Sequence, residues 1–390
     1  MKKLLALFVV TVPISLSALA GDGGLWSVRM ADSVMARDPD PLRIDANGVN
    51  ARWDYTQGLV LMSMWKAWER TGQEKYRDYV LAFYDGMILD DGSIKGYQME
   101  EYNIDAVNAG KMLFALHAKT GKEKFRRAAD LLREQMRKQP RTAEGGFWHK
   151  KRYPRQMWLD GLYMGSPFLA EYARTFNQPA LYDDVAKQFF LMEKHARDIK
   201  TGLLYHGWDE SRNERWSDPI TGRSPCFWGR AVGWYAMALV DTLDFLPTDH
   251  RFRPEMIAIL NRLADATMKV RDPKSGVWRQ VLDQGGRKGN YLESSVSTML
   301  VYTFAKAAKK GYLDKKYLEI ARKGFDDVVK EFVEVDARGV ATIHRGCAVA
   351  GLGWTPYRDG SYEYYIGERV RDNDPKAVGP FILAALELEE

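Results

Sequence analysis

The chain has 390 residues and a formal net charge of +5, and it contains 12 Trp, 20 Tyr and 16 Phe. The charge is too small for a nucleic-acid-binding protein, and no dense basic segment is present. The two cysteines are too few for a disulfide scaffold, and the absence of CxxC and HExxH motifs gives no indication of a protein metal site.

Residues 1–20 have the pattern of a signal peptide. Lys2 and Lys3 precede a mostly apolar run at 4–16 and a small-x-small sequence at 18–20. Removal of the two lysines lowers the net charge to +3. We therefore expect a periplasmic or secreted protein without membrane association after cleavage. A retained N-terminal anchor is the alternative.

Two kinds of helix alternate along residues 21–390. Amphipathic segments, with apolar residues at i, i+3, i+4 and i+7, fall near 26–37, 73–85, 122–138, 181–197, 254–271 and 315–332. Segments apolar on nearly all sides are TQGLVLMSMWKAW, VNAGKMLFALHA, MGSPFLAEYA, AVGWYAMALV, SSVSTMLVYTFAKAA and AVGPFILAALEL. Because the second kind must be buried all round, the pattern predicts an all-α fold, an (α/α)6 barrel of six helical hairpins in a single domain. An open solenoid, whose repeats are usually shorter, is the alternative.

Polar and aromatic residues gather just ahead of the all-apolar helices. In a barrel of hairpins the equivalent connections emerge at the same end, so these segments should surround one mouth. A pit with many aromatic rings, some histidines and a few carboxylates is typical of a carbohydrate site. The segments are WDYTQG (53–58), YNIDAVNAG (102–110), GGFWHKK (145–151), MWLDGLYMG (157–165), LLYHGWDES (203–211), PCFWGRAVGW (225–234) and YRDGSYEYY (357–365).

Asp160 is the first candidate for chemistry. It lies between Trp158 and Tyr163, and a poorly solvated setting favours the neutral carboxyl group that a general acid needs. Helix capping is the alternative for Asp160 and for Asp105, and it is the preferred explanation for Asp54.

Arg230 is a candidate anion receptor because it lies between Trp228 and Trp234, and a structural ion pair is the alternative. The two tryptophans themselves suit either stacking on a sugar or the core. His149 and His206 suit either ligand contacts or structural hydrogen bonds.

In combination, MWLDGLYMG, FWGRAVGW and YRDGSYEYY resemble the unsaturated rhamnogalacturonyl hydrolases of glycoside hydrolase family 105, which are related to the unsaturated glucuronyl hydrolases of family 88. The resemblance extends from WDYTQG to the C-terminal segment, and it implies an (α/α)6 barrel. It also implies an oligosaccharide substrate, left by a polysaccharide lyase, that ends in an unsaturated uronic acid. Hydration of the C4–C5 double bond would release 5-keto-4-deoxyuronate and a shortened sugar, with no cofactor and no metal.

The resemblance also implies roles for individual residues. Asp160, in the WLDG motif, would protonate C4 and then act as base toward the water that adds at C5. Asp105, in NIDAVNAG, would be the second carboxylate, and Arg230 would bind the uronate carboxylate. The residues implied to bind the substrate are His149, His206, Trp228, Arg230, Trp234, Tyr55 and Met164.

These motifs do not identify the leaving sugar of the substrate. Unsaturated galacturonyl-rhamnose from rhamnogalacturonan I, a pectin component, is the expected substrate. An unsaturated glucuronyl product of ulvan or glucuronan type is the alternative. Lys150, Lys151 and Arg152 would either contact a charged leaving sugar or, as we prefer, form a solvated loop.

Two other classes remain open at this stage. A polysaccharide lyase would use Tyr163, Tyr205 or His206 as its base, and a sugar-binding protein would explain the aromatic residues without chemistry. We expect a monomer or a weak homodimer.

Overall fold

The computed structural model describes residues 24–45 and 51–389. The predicted signal peptide, residues 1–20, lies outside these ranges. In chain order the helices are α1 (Trp26–Arg37), α2 (Tyr55–Thr71), α3 (Glu74–Met87), α4 (Asp105–Asn108), α5 (Met112–Thr120), α6 (Glu123–Lys138), α7 (Leu159–Thr175), α8 (Ala180–Ala196), α9 (Gly229–Leu243), α10 (Arg253–Lys269), α11 (Ser294–Lys309), α12 (Lys316–Phe332), α13 (Tyr362–Gly367) and α14 (Pro375–Leu388). Short 3-10 turns lie at Pro41–Arg43, Met99–Glu101 and Ala109–Lys111.

Six short strands form three antiparallel pairs in the loops of the described ranges. The strands are β1 (Gln156–Trp158), β2 (Gly207–Asp209), β3 (Val333–Val335), β4 (Ala341–Ile343), β5 (Gly346–Cys347) and β6 (Val370–Arg371). β1 pairs with β2, β3 with β4, and β5 with β6.

The inner helices form a closed ring. α2 packs beside α14, α14 beside α11, α11 beside α9, and α9 beside α7. α7 packs beside α4 and α5, and α4 with its 3-10 turn packs against α2, which closes the ring. The (α/α)6 barrel is therefore confirmed, and the open solenoid is wrong.

Burial explains why the two kinds of helix take these places. Every residue of α9, in the inner ring, is buried. The outer helix α6 buries only one stripe, which includes Phe125, Ala128, Ala129 and Leu132. The apolar surface of each helix therefore decides its layer, as the sequence pattern predicted.

The second inner element differs from the prediction of one continuous helix. It is divided into α4, a 3-10 turn at Ala109–Lys111, and α5. At this turn the backbone of α2 comes close, because a Cβ atom on Gly58 would lie only 2.5 Å from the Cα atom of Ala109. Gly110, a weak helix former, lies inside the turn. The tight contact and the glycine together account for the interruption.

Two further findings concern the whole described part of the chain. No helix within it combines the length and the apolar character needed to span a bilayer. Cys226 and Cys347 are both free and buried, so no disulfide joins them in this structure.

Candidate active site

A cavity of about 690 Å³ opens at the end of the barrel where the connections precede the inner helices. Five of the residues predicted for the site line it: Tyr55, Asp105, His149, Asp160 and Met164. Tyr55 begins α2, Asp105 begins α4, and Asp160 and Met164 lie one turn apart on α7. The structure therefore brings both candidate carboxylates into one cavity.

Helix capping does not explain either carboxylate. The residues at the N-cap positions of α4 and α7 are Ile104 and Trp158, and neither helix has a side-chain cap. Capping is confirmed for Asp54, whose Oδ1 accepts a 2.7 Å hydrogen bond from the Tyr55 backbone N–H. Asp54 also lines the cavity, and burial together with the charge of Asp105 raises its pKa.

The pairing of β1 with β2 brings His206 to Asp160. Asp160 follows β1 and His206 precedes β2, and the Leu159 N–H donates to the His206 carbonyl at 3.0 Å. His206 Nε2 lies 3.1 Å from Asp160 Oδ2, although the two groups are not aligned as a hydrogen bond. On its other side, Nδ1 lies 2.7 Å from the hydroxyl of Tyr365. The histidine is completely buried, so these contacts determine how its ring is held.

A second backbone arrangement brings His149 to Asp105. The Ile104 N–H donates to the His149 carbonyl at 3.2 Å, and His149 Nε2 lies 3.4 Å from Asp105 Oδ1. The ring also lies against the start of α7, where a Cβ atom on Gly161 would be 3.0 Å from His149 Nδ1. Glycine next to Asp160 therefore leaves the space that this histidine occupies.

Lys150 determines the charge of Asp105. Its Nζ lies 2.5 Å from Asp105 Oδ2, and both side chains are nearly buried. Burial is the largest single influence and would raise the pKa of Asp105, but Lys150, followed by His149 and Arg152, lowers it, and the pKa lies below its usual value. Burial lowers the pKa of His149 to about 4, against the opposing charge of Asp105. Near neutral pH, Asp105 is therefore ionised and His149 is neutral.

The preferred explanation for the basic segment, a solvated loop, is wrong for Lys150. The side chain of Lys150 is 13% exposed and lines the cavity with its ammonium on Asp105. Lys151 and Arg152 are exposed, and both also line the cavity. The contact between this segment and Asp105 joins residues 45 positions apart, so it could not be found in the sequence.

The structure does not place Arg230 in the cavity lining. Its side chain is completely buried, one guanidinium nitrogen donates to the Cys347 carbonyl, and another lies 3.7 Å from Asp374 Oδ1. These contacts are those of the alternative, a structural ion pair, and the expected contact with a uronate carboxylate stays a prediction. Burial is the largest single influence and would lower the pKa of Arg230, but Cys347, Asp374, Glu293 and Tyr55 together raise it.

The two predicted tryptophans also lie behind the cavity wall. Trp228 is buried, donates from Nε1 to Gln280 at 3.2 Å, and stacks on Tyr365 with the ring centroids 5.7 Å apart. Trp234 stacks on Tyr163 at 4.7 Å and meets the edge of Tyr55 at 6.2 Å. Trp228 packs on Tyr365, which contacts His206, and Trp234 packs on Tyr55, which lines the cavity. Neither tryptophan lines the cavity itself.

One wall of the cavity is an aromatic series that the sequence did not reveal. His149 stacks on Trp158 at 4.4 Å, Trp158 stacks on Tyr153 at 4.6 Å, and Tyr153 meets the edge of Trp354 at 6.4 Å. All four rings line the cavity. Trp158 was noticed only as a neighbour of Asp160, and Tyr153 and Trp354 lie in irregular loops without a periodic signal.

Comparison with known proteins places this site in a family. The profile of Glycosyl Hydrolase Family 88 matches residues 26–390. The chain belongs to this family. A solved glycoside hydrolase of family 105 from Clostridium acetobutylicum ATCC 824 is 46% identical, with a TM-score of 0.90 over 94% of this chain and 99% of that one.

Two curated relatives are also similar to this chain. Protein Atu3128 of Agrobacterium fabrum is 42% identical over 230 residues, which is 57% of this chain and 97% of the relative. The unsaturated rhamnogalacturonyl hydrolase YesR of Bacillus subtilis is 28% identical over 319 residues, which is 78% of this chain and 84% of the relative. The family resemblance is thus confirmed, and this family 88/105 protein is a glycosidase of the unsaturated uronyl hydrolase type.

Proposed function

We propose that the protein hydrates the C4–C5 double bond of an unsaturated uronic acid at the non-reducing end of a short oligosaccharide. The proposed substrate is unsaturated galacturonyl-rhamnose, and the products are 5-keto-4-deoxyuronate and a shortened sugar. One observation carries this proposal: the two candidate carboxyl groups in the cavity have different partners, Asp105 on Lys150 and Asp160 on His206. The name of the Bacillus subtilis relative supports the choice of a rhamnogalacturonan product.

The different partners suit different roles for the two carboxyl groups. Asp105 stays ionised because the ammonium of Lys150 lies against it. Asp160 has no lysine or arginine within ion-pair distance in the described ranges, and we assign it the role of the acid. The proton of Asp160 passes to C4, and the positive charge that develops at C5 is shared with the ring oxygen. The anionic Asp105 stabilises that charge through space.

Water then completes the reaction. The ionised Asp160 accepts a proton from the water that adds at C5, which regenerates the acid. The resulting hemiketal opens by breaking the bond between C5 and the ring oxygen. The former anomeric carbon is then a hemiacetal, and its collapse to an aldehyde expels the leaving sugar with a proton. No step requires a group other than the side chains and water.

The direct test follows the ultraviolet absorbance of the unsaturated uronyl group with rhamnogalacturonan lyase products as substrate. The parent protein should remove the absorbance, and Asp160→Asn should reduce the rate by at least about 10³-fold, because the amide has no acidic proton to give. Asp90→Asn is the matched control, since Asp90 is exposed and does not line the cavity.

The other outcomes separate the competing classes. Activity only on unsaturated glucuronyl oligosaccharides would change the substrate and keep the reaction. A rising absorbance on intact polysaccharide would identify a lyase. Saccharide binding without turnover in either the parent or Asp160→Asn would identify a sugar-binding protein.

A further inference from the structure

The aromatic wall of the cavity changes from buried to exposed along its length. Tyr153 is 3% exposed and Trp158 is 4% exposed, whereas Trp354 at the other end is 52% exposed. His149, at the buried end of the series, contacts Asp105. The series therefore leads from the neighbourhood of Asp105 outward to the rim of the cavity, where the ring of Trp354 is open to solvent.

The loop that carries Trp354 is held in a defined shape. The Gly353 N–H donates to the Arg358 carbonyl at 2.8 Å, and the Arg358 N–H donates back at 3.3 Å. Beside this turn, Leu352 is completely buried in a small cluster with Tyr153 and Trp158. The ring of Trp354 is therefore presented by an anchored hairpin.

Trp354 also adopts a strained backbone conformation. Its φ angle is +71°, a region that bulky side chains rarely occupy. Strain of this kind is retained where the surrounding structure enforces it, and it concentrates at ligand-binding sites. The ring nevertheless stays half exposed at the rim of the cavity, where it can meet a ligand.

Arg152 lies beside the same ring with free hydrogen-bonding capacity. Its guanidinium carbon is 4.7 Å from the centre of the Trp354 ring and 5.2 Å from that of Tyr153. Within the described ranges it makes neither an ion pair nor a side-chain hydrogen bond, and its charge acts on Asp105 only at a distance, where it helps to lower the pKa of that carboxyl group. Its five N–H donors are thus open to a ligand held on the indole.

We propose that Trp354 and Arg152 form the binding subsite for the leaving sugar. The apolar face of the pyranose ring packs on the indole, and the oxygen atoms at the edge of the sugar accept hydrogen bonds from Arg152. Trp354 and Arg152 then determine how well different leaving sugars bind, while Asp160 and Asp105 act on the uronic acid. This inference rests on the proposed function, since it requires an unsaturated uronyl saccharide in the cavity.

The experiment compares two compounds that share the reacting ring. One is the unsaturated galacturonyl-rhamnose disaccharide, and the other is the methyl glycoside of the same unsaturated uronic acid, which has no leaving sugar. Trp354→Ala should raise KM for the disaccharide about 3- to 10-fold, with kcat changed less than about twofold. KM for the methyl glycoside should stay unchanged, and Trp354→Phe should restore most of the disaccharide affinity.

Arg152→Gln provides the second arm. It should raise KM for the disaccharide about 3- to 10-fold, because about one solvent-exposed hydrogen bond is lost, and it should leave KM for the methyl glycoside unchanged. Arg215→Gln is the matched control, because Arg215 is also exposed and also lies over an aromatic ring, that of Tyr357, but does not line the cavity.

Three results would overturn the inference. Equal changes of KM for the two compounds would show that Trp354 and Arg152 act on the uronic acid. Unchanged KM for both would show that the leaving sugar binds elsewhere. If the parent consumes neither compound, the proposed function fails and this inference fails with it, whereas the first two results leave the proposed function standing.

Discussion

Lys150 gives this site its asymmetry at the scale of single residues. The two candidate carboxyl groups, Asp105 and Asp160, share one cavity, and the ammonium 2.5 Å from Asp105 favours the anionic form of that group. Asp160 contacts His206 instead, and Tyr365 holds the far side of that imidazole ring. The division of roles between acid and stabilising anion follows from these neighbours.

Replacement of Lys150 by Gln should move the acid limb of the pH profile. Without the ammonium, burial is the main influence on Asp105 and raises its pKa, so Asp105 becomes protonated at a higher pH. The acid limb of kcat/KM should therefore shift upward by about one pH unit or more. Lys200→Gln is the control, because Lys200 is exposed and does not line the cavity. An unmoved acid limb in Lys150→Gln would show that Asp105 does not need its charge.

His149 should make the stability of the protein depend on pH. Its pKa is about 4 in the folded protein, and about 6.5 is normal for an unfolded chain. Between these two pH values the unfolded chain binds more protons than the folded protein. The free energy of unfolding therefore rises as the pH rises through this window, and it falls on acidification. The contribution of His149 is on the order of 3 kcal/mol between pH 4 and pH 7.

Denaturant unfolding at several pH values tests this expectation. His149→Gln should lose less stability than the parent on going from pH 7 to pH 4. His117→Gln, which changes a partly exposed histidine on α5, should keep the slope of the parent. Equal slopes for the parent and His149→Gln would contradict the assignment.

At the scale of elements, the close approach of α2 to the 3-10 turn at Ala109–Lys111 determines where Asp105 lies, because α4 leads directly into that turn. Gly58→Ala would place a methyl group 2.5 Å from the Ala109 Cα atom. We expect a loss of stability of about 1–3 kcal/mol from this overpacking, and reduced kcat through displacement of Asp105. Gly367→Ala is the control, because no atom lies within 4 Å of the added methyl group there. Similar thermal midpoints for the two variants would show that the contact relaxes easily.

The helices were the most predictable part of the molecule. Amphipathic segments such as the one predicted at 122–138 match the observed α6 closely, because a buried stripe leaves a period in the sequence. The break between α4 and α5 was missed, since it depends on the backbone of α2 lying against it. Such a contact joins residues about 50 positions apart and leaves no local pattern.

The site was predictable where a motif carries it. Asp160, Asp105 and His149 reach the cavity because they lie next to inner-helix starts or in loops joined to them. Arg230 also lies next to the start of an inner helix, α9, but its side chain points toward Asp374 and the Cys347 carbonyl. A sequence pattern places a residue near a mouth, and packing decides which way the side chain points.

At the scale of the whole molecule, the barrel gathers its chemistry at one mouth. We propose that the protein works outside the cytoplasm, since residues 1–20 have the pattern of a signal peptide. Mass spectrometry of the protein exported by a bacterial host should find Gly21 as the first residue. Recovery of the full chain in the cytoplasm would contradict this prediction.

The measurement that tests the central claim most directly is proton NMR in D₂O, with the disaccharide as substrate. Hydration through Asp160 predicts that the vinyl proton at C4 disappears in step with release of the leaving sugar, that deuterium enters C4, and that Asp160→Asn does neither. Release of the sugar while the vinyl signal persists would mean direct attack at the anomeric carbon. Undiminished turnover by Asp160→Asn would mean that another group supplies the proton, and either result would contradict the account.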